Sequence, residues 1–116
     1  MINFPKTNFD LFIDVGLSYN APHSVEVLNS NLNAFVIGIE PHPGNCISIK
    51  NCNLGNRFHL IEAGASDRDE ILELNMMHPD PGTSSFLELT NVLFDIGYSI
   101  ANKVKVPLIT LESVLD

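Results

Sequence analysis

An acid and a glycine two residues apart, at the end of an apolar run, are the first hint of chemistry in this chain. Asp14-Val15-Gly16 follows Leu11-Phe12-Ile13 and leads through Leu17-Ser18-Tyr19-Asn20 into a helical pattern at Pro22. A glycine at the carboxyl end of a strand lets a ligand approach bare backbone, and the helix start beyond it offers unpaired N–H groups. By themselves the same residues also describe an ordinary tight turn between strand and helix. Glu40 stands 24 residues after Gly16, at the end of a second apolar run. An acid there can accept hydrogen bonds from ribose hydroxyls; alone, it is also an ordinary loop carboxylate. Ala65-Ser66-Asp67 follows a third run. It sets a carboxylate near the place of an adenine amino group, or forms a helix cap or Asx turn.

In combination the three motifs say more than any one of them. All sit at the carboxyl ends of successive strands, where open α/β sheets bind ligands, and together they point to an adenosine-containing cofactor. A dinucleotide needs G-x-G-x-x-G, because its pyrophosphate presses on bare backbone. The corresponding positions here are Gly16, Ser18 and Ala21, and Pro22 removes a helix N–H. S-adenosylmethionine carries no pyrophosphate, and Asp14 suits its methionine ammonium. The residues therefore favour S-adenosylmethionine over NAD.

These motifs need a scaffold of alternating strands and helices. Leu11–Ile13, Ala34–Ile39 and Phe58–Ala63 are short apolar runs of the kind buried in parallel sheets. Asn20 can cap a first helix with Pro22 in its first turn, and Val25, Leu28 and Leu32 recur at helical spacing. Pro41 and Pro43 stop the second strand and start a second helix carrying Ile47 and Ile49; residues 53–56 form a loop. Strand, helix, strand, helix, strand with short connections means parallel strands and right-handed crossovers. Beyond Asp67, the residues Ile71, Leu72 and Leu74 read as a short strand and 78–85 as a Pro-rich loop. Residues 86–101 fit either a helix or a loop. Val104–Thr110 reads as a strand that Pro107 places at a sheet edge, and Thr110 or Glu112 opens a last helix. The expected class is α/β, a single Rossmann-like domain over residues 1–116.

Composition excludes several classes of function. The chain has 116 residues, 45% of them apolar, with 6 Lys and Arg against 14 Asp and Glu for a net charge of −8. That is one globular domain with no basic stripe to neutralise phosphates, so neither a nucleic acid nor an anionic membrane surface is an expected partner. No apolar run approaches the roughly 18 residues of a membrane helix, and Met1 to Asp10 does not read as a signal peptide. Cys46 and Cys52 make neither a disulfide framework nor a CxxC pair. The expected setting is reducing and cytoplasmic.

The segments "FIDVGLSYNAPHS", "VIGIEPHPGN", "EAGASD", "PGTSSF" and "VKVPLITLESVLD", in this order, resemble the FkbM family of S-adenosylmethionine-dependent methyltransferases. The resemblance runs from about Phe12 to Asp116. It implies a class I methyltransferase fold and methyl transfer to a substrate oxygen, typically a hydroxyl of a sugar or small metabolite. Carried onto this chain, Asp14 and Gly16 match the cofactor loop, Glu40 with Pro41 and His42 the ribose-binding motif, and Ser66 and Asp67 the adenine side. The family loop has Asn at position 18 and Gly at position 20. Here Ser18 and Asn20 stand there, and Asn is the non-glycine residue that best tolerates positive φ. Family members continue past "LITLESVLD" into a strand beside the first one, which carries residues facing the methyl group. On that basis the chain reads as an amino-terminal half, and no residue is assigned as general base. The first strand would then be an exposed apolar edge, filled by a completing chain or a homo-oligomer.

The remaining polar residues have blander readings. His23, His42, His59 and His78 match no zinc spacing, so no metal is expected; His42, beside Glu40, is the best placed of them for a functional role. Cys46 and Cys52 read as small helix-face or loop residues, Met76-Met77 as packing, and Thr83, Ser84 and Ser85 as a turn. Three functional classes follow: an active O-methyltransferase, a non-catalytic cofactor-binding or assembly module, and an NAD-binding domain.

Overall fold

The run Ala34–Ile39 forms a strand, β2, in which every residue is buried. The middle strand of a parallel sheet is covered on both faces, so it needs a continuous apolar run rather than alternation. In the computed structural model, which describes residues 2–78 and 99–115, β1 (Asp10–Val15) and β3 (Phe58–Ile61) flank β2. Both run parallel to it, in the order β1-β2-β3. The helices α1 (Pro22–Ser30) and α2 (Pro43–Cys52) make the two connections. The expected α/β class and alternating order are observed.

Each face of this sheet has its own core. On one, Phe35, Ile37 and Ile39 of β2 meet Val114, with Ile13, Ile61 and Ile109 packed around them. Leu17, Ala21 and Ile49 make the other core, with Leu54, Phe58 and Leu60. Buried aliphatic side chains of this size each contribute about 1.5–3 kcal/mol relative to exposure. The chain before β1 folds back on the first core. Phe4 stacks on Phe9 at 5.7 Å, and both rings meet Phe35.

Arg57, just before β3, ties three elements together. Its Nη2 donates to the carbonyl of Leu28 (2.8 Å), and its Nη1 donates to those of Asn31 (2.9 Å) and Ala34 (3.2 Å). A cation here satisfies the Leu28 carbonyl in the last turn of α1, complements the helix dipole, and links that turn to the Asn31 and Ala34 carbonyls at the entry to β2.

A second sheet follows. It contains β4 (Gly64–Ala65), β5 (Glu70–His78) and β6 (Ser99–Ile109) in the order β4-β6-β5, with β6 parallel to β4 and antiparallel to β5. The last helix, α3 (Leu111–Leu115), is opened by Thr110 as expected: Thr110 Oγ1 accepts the Ser113 N–H at 3.1 Å. Asp69 holds the same turn from outside. Its carboxylate accepts the Thr110 N–H at 2.8 Å and the Ser113 hydroxyl at 2.6 Å. These bonds favour the ionised form, so the Asp69 pKa lies below the ordinary aspartate value, the Ser113 hydroxyl being the larger cause. A depressed folded pKa means the contribution is fully present above the unfolded aspartate value and is lost as pH falls through the folded one. Acid titration is expected to release the Thr110 amide and α3 together. In Asp69→Asn the Thr110 amide resonance should no longer follow that titration.

Several expectations are corrected. Helix α1 ends at Ser30, because Asn31 is extended (φ −133°); Leu32 is therefore not on its apolar face and is exposed. Asn20 does not cap α1: the cap position is Ala21, and no side chain bonds there. The third run is a strand only as far as Ile61, and a separate two-residue strand, β4, follows past the run's end. The strand around Ile71 and Leu72 is nine residues long and takes in His78, expected in a loop. Pro107 sits in the middle strand of its sheet rather than at an edge. It is tolerated because β4 pairs only with Leu108 and Ile109, so the missing N–H lies just before the paired stretch. Residues 79–98, including Thr83, Ser84, Ser85 and most of the stretch 86–101 open to either reading, lie outside the described residues.

Candidate functional site

The carboxyl tips of β1 and β2 meet through one side chain. Glu40 directly follows β2 and is only 5% exposed. Its Oε1 accepts the N–H groups of Leu17 (2.8 Å) and Ser18 (3.1 Å) from the loop after β1, and its Oε2 accepts the His42 N–H (2.9 Å) and the Asn45 side-chain amide (3.5 Å). A carboxylate offers about four acceptor positions, so the protein itself engages all of them. Burying this charge is tolerable because each oxygen is hydrogen-bonded. Glu40 thus clasps the β1–α1 loop against the start of α2.

The loop's shape follows from that clasp. Gly16 (φ +80°), Ser18 (φ 58°) and Ala21 (φ 45°) are all left-handed. The positive angles fall on Ser18 and Ala21, and Asn20, the residue expected to absorb one, is not among them. Ser18 is held by its N–H to Glu40, and Ala21 by its N–H to the Leu17 carbonyl at 2.9 Å. Non-glycine residues enter this region only under such constraint. A Cβ added at Gly16 would meet nothing within 4 Å. The space beside the Gly16 backbone is therefore open.

Asp14 is half-buried on β1 and accepts the Ser24 hydroxyl at 2.6 Å through Oδ2. The bond aligns the carboxylate with the first turn of α1. His42 caps α2: its Nδ1 accepts the Asn45 N–H at 3.2 Å. The ring is buried, and its Nε2 has no partner among the described residues. An Nδ1 that accepts leaves Nε2 carrying the proton. Pro41, between Glu40 and His42, is half-buried.

Cys46, one turn into α2, is fully buried, with Sγ 3.2 Å from the Glu40 carbonyl oxygen. Burial first, then the nearby Glu62 and Glu40 carboxylates, push its thiol up to about 11. Reactivity follows the thiolate. At pH 8, iodoacetamide is therefore expected to alkylate exposed Cys52 and to spare Cys46 until the chain is unfolded, as peptide mass mapping would show.

The structure brings Asp14, Gly16, Ser18, Glu40, Pro41 and His42 into one junction. Asn20 lies exposed on the same loop. Ser66 and Asp67 are not bonded to it. The Ser66 N–H donates to the Ile109 carbonyl at 3.0 Å, and exposed Asp67 contacts the Ser66 hydroxyl (3.3 Å) and Arg68 (3.5 Å). Leu17, Ser24 and Asn45 were not singled out from sequence. Ser24 and Asn45 had a readable signal, since each stands in the first turn of a helix that follows a strand-tip acid. Leu17 contributes a backbone N–H, which no residue type announces. A cavity of about 680 Å³ opens at the opposite end of the strands, between Phe9, Asn33, Arg57 and His59. None of the candidate residues lines it, and open parallel sheets bind ligands at the carboxyl ends.

Among the described residues no group of three or more His, Cys, Asp or Glu side chains is placed to hold a metal ion, and no helix is long and apolar enough to cross a membrane. The chain matches no protein-family model, no curated protein and no solved structure.

Proposed function

We propose that this chain binds S-adenosylmethionine at the tips of β1 and β2, in the service of an FkbM-type O-methyltransferase acting on a hydroxyl of a sugar or small metabolite. The observation that carries the reading is the use of the loop amides. A pyrophosphate needs free N–H groups at the first strand–helix turn. Here the N–H groups of Leu17 and Ser18 are taken by Glu40, those of Gly16 and Ala21 by the carbonyls of Ile39 and Leu17, and Pro22 has none. The glycine end of the turn, Gly16 to Ser18, therefore has no free amide to offer a pyrophosphate. The junction retains what an adenosyl sulfonium ligand needs: open backbone at Gly16, an acid at Glu40 for ribose, and an acid at Asp14 for an ammonium.

In this reading Glu40 would exchange its weakest contact, the Asn45 amide at 3.5 Å, for a ribose hydroxyl while keeping the loop amides. Asp14, aligned by Ser24, would hold the ammonium. Bound S-adenosylmethionine supplies an electrophilic methyl group; the residues named here bind and orient, and none is assigned as the base.

Calorimetry with S-adenosylhomocysteine and with NAD tests the proposal. Saturable binding of the first and none of the second is expected. Binding of NAD alone, or of neither, would overturn it. Labelled methyl transfer to a panel of hydroxylated metabolites then separates an active enzyme from a cofactor-binding module.

A further inference from the structure

The three parallel strands of the first sheet start at the same end, and the residues that precede each start gather there. Asn8 and Phe9 lead into β1, Asn33 into β2, and Asn56 and Arg57 into β3. Between them opens the cavity of about 680 Å³. Small-molecule sites run to roughly 300–1,000 Å³, so this one has the size for a small ligand. Among the described residues its walls all fall within residues 3–59. They belong to the amino-terminal segment and the first three strands.

The chemistry of the wall selects the ligand. Asn3, Asn8, Asn33 and Asn56 stand exposed along it. A primary amide both donates and accepts hydrogen bonds, as a hydroxyl does, so each can serve one or two hydroxyl groups. Phe9 and Phe58 add phenyl rings, whose negative faces attract the polarised C–H groups of a sugar ring. Charge then excludes the alternatives. A cationic ligand needs a carboxylate, and no Asp or Glu lies among the described wall residues. An anion would find one guanidinium, Arg57, which already serves the carbonyls of Leu28, Asn31 and Ala34. The carboxyl ends of α1 and α2 also lie at this end of the sheet, and their dipoles repel negative charge. The net charge of −8 acts in the same direction. What fits is an uncharged molecule rich in hydroxyls.

We propose that this cavity binds an uncharged mono- or disaccharide, its hydroxyls on the asparagine amides and a ring face on Phe9 or Phe58. The Nε of Arg57, which donates to none of the described residues, is a further donor for a sugar oxygen. The site lies at the opposite end of the strands from Gly16 and Glu40. It therefore holds a sugar without presenting it to the cofactor loop, and it stands whether or not that loop binds S-adenosylmethionine.

The test is an NMR titration of the unmodified chain in the absence of any methyl donor. The probes are glucose, galactose, N-acetylglucosamine and lactose, with glucuronate and glucosamine as charged counterparts. At least one neutral sugar should bind saturably, shifting the side-chain amides of Asn8, Asn33 and Asn56 together and leaving the Leu17 and Ser18 amides in place. Asn8→Ala and Asn56→Ala, both at exposed positions, should each raise the dissociation constant about 5-fold through lost hydrogen bonds. Ile47→Lys, exposed on α2, should leave it unchanged. No saturable shift from any neutral sugar would overturn the inference. So would tighter binding of glucuronate or glucosamine than of the neutral sugars, or sugar binding that neither asparagine substitution weakens.

Discussion

Glu40→Gln is expected to weaken S-adenosylhomocysteine binding by about 30-fold or more and to destabilise the chain even without ligand. The geometry says where the damage falls. Oε1 takes two backbone amides, at 2.8 and 3.1 Å, so the remaining carbonyl oxygen of a glutamine settles there. Its NH2 then occupies the Oε2 position, 2.9 Å from the His42 N–H, donor against donor. An unsatisfied buried N–H costs about 1–3 kcal/mol, and the lost charge weakens the surviving bonds. A drop of about 2–4 kcal/mol in urea unfolding is the expected outcome, with the His42 amide exchanging faster than in the parent. Unchanged affinity would remove Glu40 from the ribose site. Unchanged stability would show that the clasp contributes nothing.

The second large effect is expected from Gly38, in the middle of β2. An added Cβ would lie 2.7 Å from Leu17 Cδ1 and 2.7 Å from Phe58 Cζ. Leu17 is 1% exposed and has no room to turn away. Overpacking of this kind costs about 1–3 kcal/mol, and relief by moving Leu17 would pull on the N–H that Glu40 holds. Gly38→Ala should therefore lower stability by about 2 kcal/mol and weaken cofactor affinity together. Gly16→Ala makes the contrast. Nothing crowds that position, so its cost is the backbone strain at φ +80°, about 1–2 kcal/mol. Combining Gly38→Ala with Leu17→Ala should cost less than the two measured separately, since the smaller side chain vacates the space. Strict additivity would mean that Phe58, rather than Leu17, sets the limit.

What could be read in advance divides by range. The buried run Ala34–Ile39, the acid at its end, the two Pro-led helices and the parallel order rest on local pattern, and all were legible. The backbone of the loop after β1 was not. Ser18 has no intrinsic reason to adopt φ 58°; it does so because an oxygen 22 residues further along captures its N–H. Asn20 suited a left-handed angle by type, yet the constraint fell on its neighbours. The length of β5 was hidden because Glu70 to Asn75 mixes polar and apolar residues without clean alternation, and its pairing with β6 decides the matter. Pro107 misled for a similar reason: its tolerance depends on where the two-residue β4 stops. Ser66 and Asp67 follow β4 of the second sheet, where the Ser66 N–H donates to the Ile109 carbonyl, a placement that spacing along the chain does not carry.

Arg57 changes how the molecule comes apart. The stretch from Asn29 to Asn33, rich in asparagine and largely exposed, has the look of a protease-sensitive seam. A single guanidinium gripping Leu28, Asn31 and Ala34 makes that seam inseparable from the start of β3. A peptide there cannot enter a protease cleft unless the helix, the strand entry and the neighbouring strand all let go. Nicking of this segment should then track global unfolding rather than local opening, and the weakest-looking stretch of sequence becomes a gauge of the whole fold.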